Sequence, residues 1–180
     1  MKRIAVDMDD VLADTMTAYL ELYNQEHNET ISKTDLHGKA IWDVIPSDRF
    51  QKVAGYLRTA HFFDDLPVMQ DSQEVLRRLS GHYEVFIATA AMEFPNSFSS
   101  KYRWLQQHFP FISPLNVVYC GDKSILNADY LVDDTPRHFL RFAGEGILFS
   151  SPHNLLVNGY RRVNNWREVE SLFLPDGKPL

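Results

Sequence analysis

Asp7, Asp9 and Asp10 follow directly on a short apolar run at residues 4–6, and the chain turns apolar again at Val11 and Leu12. Carboxylates packed this closely repel one another, and a bound divalent cation is the simplest way to offset that repulsion. Related residue types recur downstream. Thr89 ends Ile-Ala-Thr, Lys123 follows Gly121-Asp122, and Asp133 and Asp134 end Leu-Val-Asp-Asp. Together they suit phosphoryl chemistry. A carboxylate such as Asp7 can attack phosphorus and form an aspartyl-phosphate. Mg²⁺ held by oxygens of Asp7 and Asp133 would keep that carboxylate ionised and shield it from the phosphate charge, because Mg²⁺ favours a few carboxylates, water and a phosphate oxygen. Asp9 can protonate the leaving alkoxide and later deprotonate the attacking water. Thr89 can donate to a non-bridging oxygen, and Lys123 can neutralise charge that shifts in the transition state.

These residues act together only if the fold gathers them. Residues 4–6 have the character of a strand buried on both faces, as in a parallel sheet. Residues 84–88, 116–120, 130–132 and 146–149 are further apolar runs that read as strands. Between and after them lie helical patterns. Residues 71–79 have Asp71 as a cap and Glu74 at the capping-box position; residues 97–108 carry Phe98, Tyr102, Leu105 and Phe109 on one stripe; residues 166–173 turn Val169, Leu172 and Phe173 inward. Alternating strands and helices predict an α/β, doubly wound parallel sheet with helices on both faces. The acids, Thr89 and Lys123 then converge on its carboxyl edge. About sixty residues separate the first two strands, more than one crossover helix needs. Helical patterns over residues 14–25 and 46–57, with the Gly38 loop and Trp42 between, predict a helical cap over 15–72. The core is then 1–14 and 73–180, and the cap sits over the ligand face.

The chain's 180 residues suit one domain with an insertion, and 44% apolar residues suffice for an ordinary core. A net charge of −6 argues against a nucleic-acid polymer or an anionic membrane surface, which need a basic footprint, but leaves room for a small phosphate substrate at a local site. Cys120 is the only cysteine, so no internal disulfide forms. With no apolar leader and no run long enough to span a bilayer, a cytoplasmic protein is expected. The sequence leaves a homodimer open.

Asp7-Met-Asp-Asp-Val-Leu-Ala-Asp14, Thr89, Lys123 and Asp133-Asp134 resemble, in order and context, the four motifs of haloacid dehalogenase-superfamily phosphatases. The resemblance covers nearly the whole chain. It is closest to the 5′(3′)-deoxyribonucleotidase branch, through Ser100-Lys-Tyr-Arg-Trp104, Asn127-Ala-Asp-Tyr-Leu-Val-Asp-Asp134 and Phe149-Ser-Ser-Pro-His-Asn154. It implies a Rossmann-like core and Mg²⁺-dependent hydrolysis of nucleoside monophosphates, deoxyribonucleotides in particular. By resemblance Asp7 is the nucleophile and Asp9 the acid/base. Asp7, the Asp9 backbone carbonyl and Asp133 or Asp134 hold the metal, while Thr89, the Ala90 amide and Lys123 bind phosphate. The family's base pocket is aromatic around the region matching Ile41-Trp42, and Phe62 and Phe63 are further candidates for stacking. Two departures stand out: Asp10 where relatives often have Gly, and Ala90-Ala91 where they have Ser-Pro.

Plainer readings stand beside these. Trp42 serves equally well as cap core, and Phe62 and Phe63, being adjacent, point apart, so one belongs to core and one to pocket. Lys101, Arg103 and the Arg161-Arg162 pair read as surface cations, with Lys101 placed to reach the phosphate region from the helix after Thr89. The histidines show no zinc spacing. A phospho-receiver domain needs an acid at the third strand's end, where this chain has Cys120-Gly121. A sugar-phosphate phosphatase or a catalytically silent phosphate binder remains the alternative on the same scaffold.

Overall fold

Alternation along each apolar run decides which face of the sheet a side chain serves. The computed structural model describes residues 1–175. Six strands, β1 (Arg3–Val6), β2 (Glu84–Thr89), β3 (Val117–Tyr119), β4 (Tyr130–Asp133), β5 (Glu145–Phe149) and β6 (Arg161–Val163), form one parallel sheet in the order β3-β2-β1-β4-β5-β6. Five α-helices accompany them among the described residues: α1 (Thr15–His27), α2 (Phe50–Tyr56), α3 (Ser72–Leu79), α4 (Phe98–His108) and α5 (Trp166–Phe173). The chain winds outward from β1 to β3 and then returns to β4 on the other side of β1. Val6 therefore lies in register with Ile87 on one side and Val132 on the other. This reversal opens a crevice at the strands' carboxyl ends, where such sheets bind ligands.

Ile4, Val6, Val85, Ile87, Val132 and Ile147 share one core with Leu76 of α3, Trp104 of α4 and Val169 of α5, so three helices cover that face. The opposite face is small in character. Ala5, Ala88 and Leu131 pack against Phe142, Leu126, Ala128 and Phe139. Short 3₁₀ turns at Lys123–Ile125 and Pro136–Phe139 take the place of α-helices there. Gly146 of β5 belongs to this face. A Cβ at that position would lie 2.4 Å from ring atoms of Phe139, so the turn packs directly on backbone.

Between β1 and β2 the chain builds a second core from Tyr19, Leu20, Tyr23, Leu36, Ile41, Ile45, Val53 and Tyr56. It leaves and rejoins the sheet through two adjacent passages. The Asp14 amide donates to the Pro67 carbonyl and the Met69 amide to the Leu12 carbonyl, both at 2.7 Å. No helix among the described residues is long and apolar enough to cross a membrane.

Several local expectations are corrected. Asp71 precedes α3 at φ +63° without a side-chain cap bond, and Glu74 pairs with Arg167 of α5 instead of closing a capping box. Residues 46–57 split into a 3₁₀ turn, Ser47–Arg49, and the short α2. The inward stripe of α4 is Ser100, Lys101, Trp104 and Leu105, whereas Tyr102 is exposed. β6 escapes sequence reading because only Val163 of its three residues is buried. Arg162 is not a free surface cation. Its guanidinium donates to Ser150 Oγ (3.0 Å), Asn154 Oδ1 (2.8 Å) and the carbonyls of Asn154 and Val157, which fixes the loop after β5.

Candidate active site

The turn after β1 is held from below by apolar side chains. Met8, Val11, Leu12 and Ala13 are buried, the amides of Leu12 and Ala13 both donate to the Met8 carbonyl, and Trp166 Nε1 donates to the Val11 carbonyl at 2.7 Å. Anchoring these residues leaves Asp7 and Asp9 at the crevice. Asp10 adopts φ +55°, the left-handed region that glycine enters freely and other residues rarely use. Its Oδ1 accepts from the Met16 amide in the first turn of α1 at 2.7 Å. Burial pushes Asp10 up to about 7, against the Met16 amide and with help from the charge of Asp9.

Asp7, Asp133 and Asp134 form one buried group, each offering a carboxylate oxygen within 4.8 Å of the others. Lys123 is completely buried between them and donates to Asp7 Oδ1 (2.5 Å) and Asp133 Oδ2 (2.6 Å). One ammonium therefore pairs with two of the three acids, and Asp134 has no direct contact with it. Burial pushes Asp7 up to about 6 despite Lys123, with Asp133 and Asp9 adding to the rise. Asp134 is pushed well above the usual carboxylate range by burial and by Asp133, Asp10 and Asp7. Asp133 stays below that range because Lys123 and His138 outweigh its burial. The shortage of positive charge among clustered hard oxygen donors is the environment a divalent cation fits. Asp133 is further held by His138 Nδ1 (2.8 Å) and the Thr135 amide (2.9 Å). The Asp134 carbonyl accepts from Asn154 Nδ2 (2.7 Å).

The Asp9 carboxylate turns away from this group. It accepts from Thr15 Oγ1 at 3.3 Å and pairs with Lys101. Lys101 is almost fully buried, so its reading as a surface cation is corrected. Besides Asp9 it reaches Thr89 Oγ1 (3.1 Å), and its ammonium lies 4.7 Å from the Phe63 ring centroid. The signal was its place one turn before Trp104 on the inward stripe of α4. Arg103, by contrast, is exposed and pairs with Asp64. Thr89 is buried at the end of β2, and Ala90 opens the 3₁₀ turn Ala91–Glu93.

A cavity of about 300 Å³ opens over Asp9 and Asp10. Ile41, Trp42, Phe63 and Phe94 form its apolar walls, with Met16, Tyr19 and His153 also contributing. Phe62 does not line it. Its ring stands edge-on to Tyr19 and Phe63 and packs where the two cores meet. Both rings therefore belong to the core: Phe63 is 1% exposed within it and only borders the cavity, whereas Phe62 is half-buried, so the pair does not divide cleanly between core and pocket. Trp42 is partly exposed and edge-on to Phe50. Phe94 was not singled out in the sequence because it sits between two 3₁₀ turns, and His153, though within the quoted 149–154 stretch, was given no role because its 3₁₀ turn carries no hydrophobic period.

Comparison with known proteins gives a family and a fold. A family described as 5′ nucleotidase, deoxy (pyrimidine), cytosolic type C protein matches residues 1–176. A Staphylococcus aureus protein provisionally named 5′(3′)-deoxyribonucleotidase is 44% identical over 173 residues, spanning 96% of each chain. The 5′(3′)-deoxyribonucleotidase of Bacillus subtilis is 36% identical over 173 residues, 96% of this chain and 99% of that one. Among solved structures, a haloacid dehalogenase-like hydrolase from Streptococcus pneumoniae shares the fold. Its TM-score is 0.63 at 14% identity, covering 96% of this chain and 98% of that one.

Proposed function

Because the chain belongs to the 5′ nucleotidase, deoxy (pyrimidine), cytosolic type C family, we propose that it is a Mg²⁺-dependent phosphoric monoester hydrolase cleaving nucleoside monophosphates, deoxyribonucleotides in particular, through an aspartyl-phosphate on Asp7. One observation carries this reading: the buried group of Asp7, Asp133, Asp134 and Lys123 adjoins Asp9, which floors an aromatic cavity. A cation held by Asp7, Asp133, Asp134 and the Asp9 carbonyl would offset the charge of the carboxylates and the substrate phosphate.

In the first step a carboxylate oxygen of Asp7 bonds to phosphorus while the bond from phosphorus to the sugar oxygen breaks. Asp9, as the acid, gives its proton to that oxygen. In the second step Asp9, now a carboxylate, takes a proton from a water that attacks phosphorus, and Asp7 leaves. Thr89, the Ala90 amide and Lys101 meet the non-bridging oxygens, and Lys123 balances charge on Asp7 as it changes. Ile41, Trp42, Phe63 and Phe94 offer apolar surface to a base, which favours a nucleotide over a sugar phosphate. Residues 15–72, hinged at the paired passages 12–14 and 67–69, act as a cap over the core of 1–14 and 73–175, residues 176–180 lying outside the described residues. Cys120, free and buried, suits a reducing cytoplasm. Phosphate release from a panel of nucleoside and sugar monophosphates, with and without Mg²⁺, tests the assignment. Equal rates across unrelated esters, or release that ignores Mg²⁺, would overturn it.

Two further outcomes are expected. Lys101→Met removes a buried donor beside Asp9 and Thr89 and is expected to lower kcat by about 10²–10³-fold in steady-state assays; an unchanged kcat would remove Lys101 from the site. Mg²⁺ is expected to raise Tm more at alkaline than at acid pH. Without metal, folded Asp7 keeps its proton up to about 6, above its ordinary 3.8, so the folded state binds more protons and stability falls as pH rises through that window. Ligation needs the ionised form, so the cation restores what ionisation costs. At one hundred times Kd the gain is about 2.7 kcal/mol. Equal Tm gains at both pH values would contradict the site.

A further inference from the structure

Among the described residues, three non-glycine positions hold positive φ: Asp10, Asn28 and Asp71. Asn28 and Asp71 cap helices, where that conformation serves the chain's change of direction. Asp10 lies inside the site. It borders the aromatic cavity on one side and, on the other, a second cavity of about 270 Å³ lined by Lys33, Gln70 and Ser150. Glycine would hold this backbone without strain, so the Asp10 side chain stands here against a local cost. Its Oδ1 is taken by the Met16 amide, while Oδ2 has no protein partner among the described residues.

Besides Asp9, the side chains in the rest of the wall offer only neutral acceptors. Met16, Ile41, Trp42, Phe63 and Phe94 present apolar side chains. The Thr15 hydroxyl is turned to Asp9 (3.3 Å), and the Tyr19 hydroxyl donates to the Val53 carbonyl (2.7 Å). Both ring nitrogens of His153 are engaged, by Ser151 Oγ and the Asp134 carbonyl, each at 3.2 Å. A nucleotide whose phosphate lies at Asp7 and whose base lies against Trp42 and Phe63 must pass its sugar beside residues 9 and 10. Asp9 is committed to the leaving oxygen.

We propose that Asp10 is a specificity-determining residue whose unshared carboxylate oxygen accepts a hydrogen bond from the sugar hydroxyl that does not carry the phosphate. The inference rests on the nucleotide reading above. It makes the favoured substrate a monophosphate with a free hydroxyl on the sugar, and it disfavours analogues lacking that group. A site built to pair a hydroxyl rejects the analogue without it far better than an apolar pocket rejects a missing methylene.

The test compares kcat/KM for a 2′-deoxynucleoside 5′-monophosphate and its 2′,3′-dideoxy counterpart with the same base. The unmodified protein is expected to prefer the deoxynucleotide by about tenfold or more. Asp10→Gly, which suits the observed φ, is expected to bring the two within about threefold. Equal rates in the unmodified protein need no variant to interpret and would overturn the proposal. So would a preference that survives in Asp10→Gly. If p-nitrophenyl phosphate is hydrolysed and no nucleotide is, the nucleotide reading falls and the sugar contact falls with it. Nucleotide hydrolysis without hydroxyl preference sinks the sugar contact alone.

Discussion

Asp7→Asn is expected to lower kcat/KM by about 10⁴-fold or more, the scale at which loss of a covalent nucleophile cripples an enzyme. The amide keeps the shape of the side chain and a contact for Lys123, but it cannot form a bond to phosphorus from an ionised oxygen. Stability is expected to move the other way. Burial makes the charged form of Asp7 unfavourable, so a neutral side chain relieves repulsion from Asp133. In metal-free buffer the variant should melt at or above the temperature of the unmodified protein. Loss of turnover with retained or raised Tm separates chemistry from folding. A variant that keeps substantial activity would remove Asp7 from the nucleophile's role.

Lys123→Met is expected to be the most destabilising single change at the site. Lys123 is fully buried and bridges Asp7 and Asp133, and Asp134 lies in the same group. Removing one partner of a buried ion pair leaves uncompensated charge, at a cost of about 3–5 kcal/mol. For a chain of this length that is a fall in Tm on the order of 6–20 °C. Two controls tie the loss to electrostatics. Saturating Mg²⁺ should recover part of it, because a cation supplies the missing positive charge. Combining Lys123→Met with Asp7→Asn should cost less stability than Lys123→Met alone, since one of the stranded acids is gone. A denaturation series in which the double variant is no better than the single would contradict this account.

The parts of the site legible in the sequence were those attached to strands. Residues 4–6 and 130–132 are continuous apolar runs that break into acids. A buried parallel strand ending in carboxylates leaves few other meanings, and Asp7, Asp133 and Asp134 do meet. The parts that were not legible depend on packing between elements. Lys101 looks like any solvated lysine until Trp104 and Leu105 fix the inward face of α4. Apolar type points to a stripe through Tyr102, whereas α4 turns Ser100, Lys101, Trp104 and Leu105 inward and leaves Tyr102 exposed. His138 and Asn154, which fix Asp133 and Asp134, sit on 3₁₀ turns that carry no hydrophobic period. Phe62 and Phe63 point apart as neighbours do, but that both pack in the core and only Phe63 borders the cavity needed the fold. The φ of Asp10 had one mark, its place where relatives often have Gly, but the residue type alone could not fix it.

The central claim is that Asp7 takes the phosphoryl group, and Asp9→Asn tests it most directly. That variant lacks the acid for the first step and the base for the second. With p-nitrophenyl phosphate the leaving group needs no proton, so the first step proceeds and the second stalls. Acid quenching followed by peptide mass spectrometry should find the peptide containing Asp7 heavier by one phosphoryl group, with the modification at Asp7 and its yield dependent on Mg²⁺. Release of nitrophenol while every Asp7-containing peptide stays unmodified would contradict the mechanism.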